Sequence, residues 1–235
     1  MKRTCLAIIA VLFVVACQKG HPVSVKVDER MNAMEGDRPI IEKIAVLPFI
    51  SSLNHADDPD GIAPETCERF FLPALDERED YTFVSTNTVG FAIDREGWTA
   101  EYEQFLKDYP SRPDNPDMDF LGRLAEVLKV DAFLVPVVDV WYKDEVDLQE
   151  SASATTTVGA TISIVDAAVE PGKIIFRATD EDYQEGARSE TADRSVSRTG
   201  SVVRSDTASK LYEAPPYADV AVRVVEALVA SLPPR

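Results

Sequence analysis

Histidine is the scarcest chemistry-bearing residue in this chain: His21 and His55 are the only two among 235 residues. Groups that titrate near neutral pH are therefore few, and acid-base or nucleophilic catalysis through imidazole has little to draw on. The sequence also lacks a G-x-S-x-G elbow, a phosphate-cradling G-x-x-x-x-G-K and an H-E-x-x-H pair. These absences argue against an enzyme and against a bound cofactor. Cysteine is almost as sparse, at Cys5, Cys17 and Cys67. Basic residues are outnumbered, 24 against 41 acidic, for a formal charge of −17. A surface of that sign repels nucleic acid and anionic headgroups, so neither is an expected direct partner.

Long hydrophobic runs are missing too, apart from one short stretch at the start. "CLAIIAVLFVVACQKG" follows Lys2 and Arg3 and carries no charge before Gln18, the layout of a secretory signal segment. At about 1.5 Å per residue the run reaches roughly 20 Å as a helix, short of a hydrocarbon core of about 30 Å. Cleavage fits better than spanning. Val14-Val15-Ala16-Cys17 resembles a bacterial lipobox, in which a small residue precedes a cysteine that is acylated and becomes the new N-terminus. That resemblance implies a signal peptide over 1–16 and a diacylglyceryl anchor on Cys17, the membrane being reached through lipid. Several acyl chains on one residue hold a protein to a bilayer, each buried methylene contributing about 0.8 kcal/mol. Gln18, standing where Asp would favour the inner membrane, resembles an outer-membrane address. Loss of Lys2 and Arg3 leaves 22 basic residues against 41 acidic, a charge of −19. With Cys5 removed and Cys17 acylated, Cys67 would be the one thiol left, and no internal disulfide is expected.

Residues 17–39 read as a lipidated N-terminus and flexible tether, broken by Gly20, Pro22, Gly36 and Pro39. The remainder, 40–235, reads as one α/β (α+β) domain: a mixed sheet of about five strands, helices packed on it, and a C-terminal helix. "PIIEKIAVLPFISS" has the β-branched content of a buried strand. Pro64 and Glu65 suit a first helical turn, with Cys67, Phe70, Phe71, Ala74 and Leu75 along one face. Cys67 reads as a small buried hydrophobe, and Pro73 should kink or split that helix. "YTFVST" is a short strand, and "TAEYEQFLKDY" is a helix closed by Pro110.

"DFLGRLAEVLKVDAFLVPVVDVWY" joins a helix striped by Leu121, Leu124, Ala125 and Leu128 to a strand expected at the sheet centre. Pro136 removes a ladder donor there and implies a bulge or an unpaired point. "TTTVGATISIVD" alternates, placing Val158, Ala160, Ile162 and Ile164 on a packed face and Thr157, Gly159, Thr161 and Ser163 on a wet or lightly covered one. Pro171-Gly172 turns the chain into its hairpin partner "KIIFRATDEDY". Residues 184–210 hold no aromatic residue and read as a flexible insertion able to dock on a partner. "YADVAVRVVEALVASLPPR" closes the domain as a helix.

This order of motifs resembles a group of envelope lipoproteins: the curli secretion lipoprotein, the penicillin-binding-protein activators of the LpoB type, and the N-terminal domain of TolB. The resemblance rests on "IAVLPF" at 44–49, "LAEVLKVDAFLVPVV" at 124–138, "ISIVDAAVEPGKIIF" at 162–176 and the last helix ending in Leu232-Pro233. It implies a compact α/β fold that works by protein contact in an envelope assembly, secretion or transport complex. The curli relative's channel-forming hairpins have no counterpart, since neither 143–156 nor 184–210 carries about ten alternating apolar residues with aromatic girdles. A second class of function stays open: a small hydrolase or metal-binding protein using the acidic loop His55, Asp57, Asp58 and Asp60. Against it, setting Gly61 at the sixth position of a calcium loop puts Ala56 first and Cys67 twelfth, where neither supplies an oxygen side chain. Asp131 and Asp139 flank a strand and are expected to bind backbone rather than act as an acid-base pair.

Overall fold

The computed structural model describes residues 22–32, 34–35, 38–39, 41–144, 154–167, 171–186 and 214–234. Cys17, the signal segment and most of the expected insertion at 184–210 lie outside the described residues.

The sheet is built around strand β7 (Ala132–Asp144), whose first seven residues are all buried. One edge of β7 pairs antiparallel with β8 (Thr155–Asp166), which pairs antiparallel with β9 (Ile174–Glu185). Its other edge pairs parallel with β4 (Lys43–Val46) and then with the short β5 (Ile50–Ser51). β6 (Thr82–Val84) extends the sheet beyond β4, and β1 (Ser24–Val27) extends it beyond β9. The result is a mixed seven-stranded sheet, with β2 (Met34–Glu35) and β3 (Arg38–Pro39) forming a separate hairpin.

Pro136 sits where the neighbour of β7 changes. The carbonyls of Leu134 and Val138 accept from Leu47 and Ser52, so by strand alternation the missing N–H of Pro136 faces the Leu47–Phe49 gap between β4 and β5. The unpaired point falls there as expected. The bulge falls three residues later, where the register with β8 slips between Val138 and Val140.

Helices cover both faces. On one, α1 (Ala63–Asp76) and α5 (Tyr217–Ala230) bury Cys67, Phe71 and Leu75, and Val220, Val224 and Leu228, against Ile162, Ile164 and Phe176. On the other, α2 (Thr86–Glu96), α3 (Thr99–Asp108) and α4 (Met118–Leu128) enclose Leu47, Phe133 and Val135 with Phe105, Phe120, Leu121 and Leu124. Tyr217 stacks on Trp141 with centroids 4.0 Å apart, seating the start of α5 on the end of β7.

Two readings of the sequence are corrected and a third is narrowed. The stretch 17–39 is not all tether: Ser24–Val27 pairs with β9, and Met31 in the following 3-10 turn is buried in the core. The side chains of β1 are all exposed, so it belongs to the sheet through backbone hydrogen bonds; Val23, Val25 and Val27 alternate with Ser24 and Lys26, a strand period too short to stand out among the flanking breakers. With β1 and the two-residue β5, the sheet has seven strands rather than about five. Pro73 does not split α1, which runs from Ala63 to Asp76 as one element. Phe71 and Leu75, on either side of Pro73, are both buried in the same cluster, so packing holds the helix across the lost backbone donor. Helix α2 is an addition to the expected order. Ser85 caps it by accepting from the Thr88 amide, and Gly97 ends it at φ 74°.

Asp131 closes the centre of the sheet. Its Oδ2 accepts from the backbone N–H of Glu42 at 2.9 Å and of Lys43 at 2.7 Å, tying the start of β4 to the start of β7. Replacing it with alanine strands two amides that the fold has already oriented. Asp131→Ala should lower the unfolding free energy in urea by about 1–3 kcal/mol, and Asp131→Asn, which keeps one acceptor, by less.

Candidate functional site

The face of β8 expected to be wet or lightly covered is partly open at Thr157 and Thr161 and buried at Gly159 and Ser163, and it opens further on β9, where Thr179, Glu181 and Tyr183 are exposed. Helices α2 to α4 cover β6, β4, the first half of β7 and the ends of β8 and β9 at Val165 and Ile174, while Thr179, Glu181 and Tyr183 farther along β9 stay exposed. The strand register sets Val137 beside Thr161 and Thr179, and Val135 beside Ser163 and Arg177, with Lys26 of β1 next to Arg177. Further along the same face come Val140, Gly159 and Glu181, then Tyr142, Thr157 and Tyr183. A Cβ on Gly159 would lie 3.0 Å from the Val140 side chain, so glycine lets β7 lay that valine flat across β8.

The hydroxyls and charges on this shelf are joined. Thr161 Oγ1 donates to Asp139 Oδ2 and lies 3.0 Å from Thr179 Oγ1, while Ser52 Oγ reaches Asp139 Oδ1 at 3.2 Å. The bulge beside Val138 presents Asp139 here. Arg177 donates through Nε to Ser163 Oγ at 3.3 Å and through Nη2 to Asp114 at 2.8 Å. Asp114 belongs to the loop after α3 and is 80% exposed, so this ion pair is a weak surface clasp. Tyr109 is buried beneath it, near Ser163 and Arg177, and burial pushes its phenol up to about 12. Its hydroxyl completes no hydrogen bond among the described residues. Tyr142 and Tyr183 stand 55% and 49% exposed at the far end, a preorganised mix of aromatic and hydroxyl surface of the kind that forms protein contacts.

The residues singled out from sequence fall elsewhere. Asp58 is buried and its two oxygens accept from the Ile62 and Ala63 amides at 3.0 Å each, so it caps the N-terminus of α1. Asn54 organises the rest of the loop through the Ala56 amide and the Asp57 carboxylate, and His55, Asp57 and Asp60 point to solvent. Among the described residues no three His, Cys, Asp or Glu side chains converge as metal ligands. Cys67 is fully buried, and burial pushes its thiol up to about 12, which keeps it protonated and unreactive in the folded protein. Asp131 and Asp139 do not meet as a pair: Asp131 holds two strands together and Asp139 joins the shelf.

No family model matches the sequence. A search of curated proteins returns no match. Among solved structures, the lipoprotein GNA1162 of Neisseria meningitidis is 17% identical with a TM-score of 0.42, over 64% of this chain and 88% of that one. A PelC dodecamer structure from Paraburkholderia phytofirmans is 12% identical with a TM-score of 0.45, over 92% of this chain and all of that one. The LpoB C-terminal domain of Salmonella enterica is 13% identical with a TM-score of 0.36, over 61% of this chain and 83% of that one. Likeness at this depth says nothing about chemistry or partners.

Partial burial holds the Asp139 carboxyl above its usual range, against the opposing pull of the Thr161 and Ser52 hydrogen bonds and of Arg177. The folded protein therefore binds that proton more readily than the unfolded chain, and the associated stability is present in acid and lost as pH rises through the raised value. Relative to the native chain, Asp139→Asn should be nearly neutral in acid and become neutral to slightly stabilising by pH 7. Paired urea titrations across that range measure it, and a marked loss at pH 7 would show that the charge itself supports the fold.

Proposed function

We propose that this chain is a lipid-anchored, non-catalytic protein-interaction module of the bacterial cell envelope. In this reading Cys17 carries the acyl anchor in the inner leaflet of the outer membrane, and the folded body faces the periplasm as part of an assembly, secretion or transport complex. The observation that supports the contact role is the part of the sheet that no helix covers among the described residues, where Thr161, Thr179 and Asp139 are joined by hydrogen bonds and Tyr142 and Tyr183 stand exposed beyond them. The anchor is supported by the lipobox resemblance and by an apolar run too short to span a bilayer.

Two measurements bear on the two halves of the reading. Cys17→Ser should remove the acyl mass from the mature protein and move it from the membrane to the soluble fraction, whereas continued acylation and detergent partitioning would exclude the anchor. A photo-crosslinking residue at Tyr183 or Thr179 in the full chain in cells should give a discrete adduct that the same residue at Glu103, exposed on α3, does not. Equal adducts from both positions, or none from the shelf, would count against that surface.

A further inference from the structure

We infer that the β1 edge of the sheet rests on the bilayer surface, Val25 and Val27 meeting the interface and Lys26 the headgroups, so that the domain is held in one orientation on the membrane. This rests on the anchor proposed for Cys17. The argument starts from chain length. Val23 already packs against the core and Ser24 begins β1, so the body starts six residue steps after Cys17. At about 3.5 Å per step, even a fully extended connection holds the body within roughly 21 Å of the anchored cysteine. The body is larger than that. A twelve-residue strand such as β8 is about 40 Å long at about 3.3 Å per residue. A leash shorter than the object it holds cannot let every face approach the membrane equally.

The side chains at the attachment point suit the position. β1 reads Ser-Val-Lys-Val, and Val25 and Val27 are 42% and 46% exposed, two of the six large apolar or aromatic side chains open to solvent among the described residues. The helices on their side of the sheet do not reach them. Lys26 projects from the opposite face, next to Arg177, which Asp114 already pairs, so Lys26 is the cation this edge offers in a chain whose overall charge would otherwise push it off an anionic leaflet. A lysine between two valines on an edge strand can keep its ammonium among the headgroups while the apolar groups meet the boundary. Strand order then fixes the rest. β6 lies five strands from β1, about 24 Å away at about 4.8 Å per strand, and so farthest from the membrane. The shelf of Thr161, Thr179 and Arg177 is on the membrane-proximal side, where it would meet a partner that is itself close to the bilayer.

The test uses the full acylated chain in vesicles of phosphatidylethanolamine and phosphatidylglycerol containing a nitroxide-headgroup lipid. Cys67 is buried, so a thiol-reactive fluorophore goes to a single introduced site: Val25→Cys on β1, or Thr82→Cys, exposed on β6. Headgroup quenching should be several-fold stronger at position 25 than at 82, and a Gly-Ser insertion after Gln18 should reduce the difference. Equal quenching at both positions, or none at either, in a chain that carries the acyl mass and floats with the vesicles overturns the orientation alone. A chain that lacks the acyl mass or fails to float overturns the anchor, and the orientation with it.

Discussion

The constraint on which the rest of this molecule depends is that β7 must be satisfied on both edges and both faces. A buried strand has nowhere to place an unpaired amide except against another strand. β8 takes one edge along its whole length, while β4 and β5 share the other and part company opposite Pro136, the one residue with no amide to pair. Asp131 then supplies the acceptor for the two amides at the start of β4. Once that frame is set, the faces of β7 decide where the helices go. Leu134, Val138 and Trp141 call for α1 and α5, and Phe133, Val135 and Val137 call for α2 to α4.

Basic residues are scarce, and several are spent inside the fold. The Arg78 guanidinium donates to the carbonyls of Val229, Leu232 and Pro233 at the end of α5, and Lys43 Nζ donates to the Leu128 carbonyl at the end of α4. Both place positive charge where a helix exposes its unpaired carbonyls and the negative end of its dipole. Arg223 ties α5 to Asp182 on β9, and Arg177 clasps the loop after α3. The fold thus uses cations as fasteners and leaves much of its acidity outward.

The parts of the fold that were legible in the sequence are those in which burial leaves a period. Leu121, Leu124, Ala125 and Leu128, the continuous run from Phe133, and the alternation from Thr157 to Ile164 all mark elements whose packing the sequence repeats. The parts that were not legible hold on by other means. β1 is joined through main-chain bonds and buries no side chain of its own, so the alternation of Val25 and Val27 is a short pattern inside a stretch dominated by breakers. Helix α2 buries only Val89, Ala92 and Ile93, too sparse a stripe to stand out, although the capping serine and terminal glycine were there to be read. The alternation of β8 announced a wet face but not its neighbours, because which hydroxyl meets which charge depends on register with β7 and β9 and on the bulge that swings Asp139 into place.

The pairing of β1 with β9 sets Ser24 opposite Thr179, so the first strand among the described residues must wait for the last. Its partner is synthesised more than a hundred residues later, and closing so long a loop carries an entropic cost that the short strand repays only when β9 is already formed. Until then β1 cannot pair, and under the proposal that Cys17 is acylated it would still be accessible to the machinery that processes that cysteine. The delay between making β1 and making the strand it pairs with would then be the interval in which such processing meets no sheet.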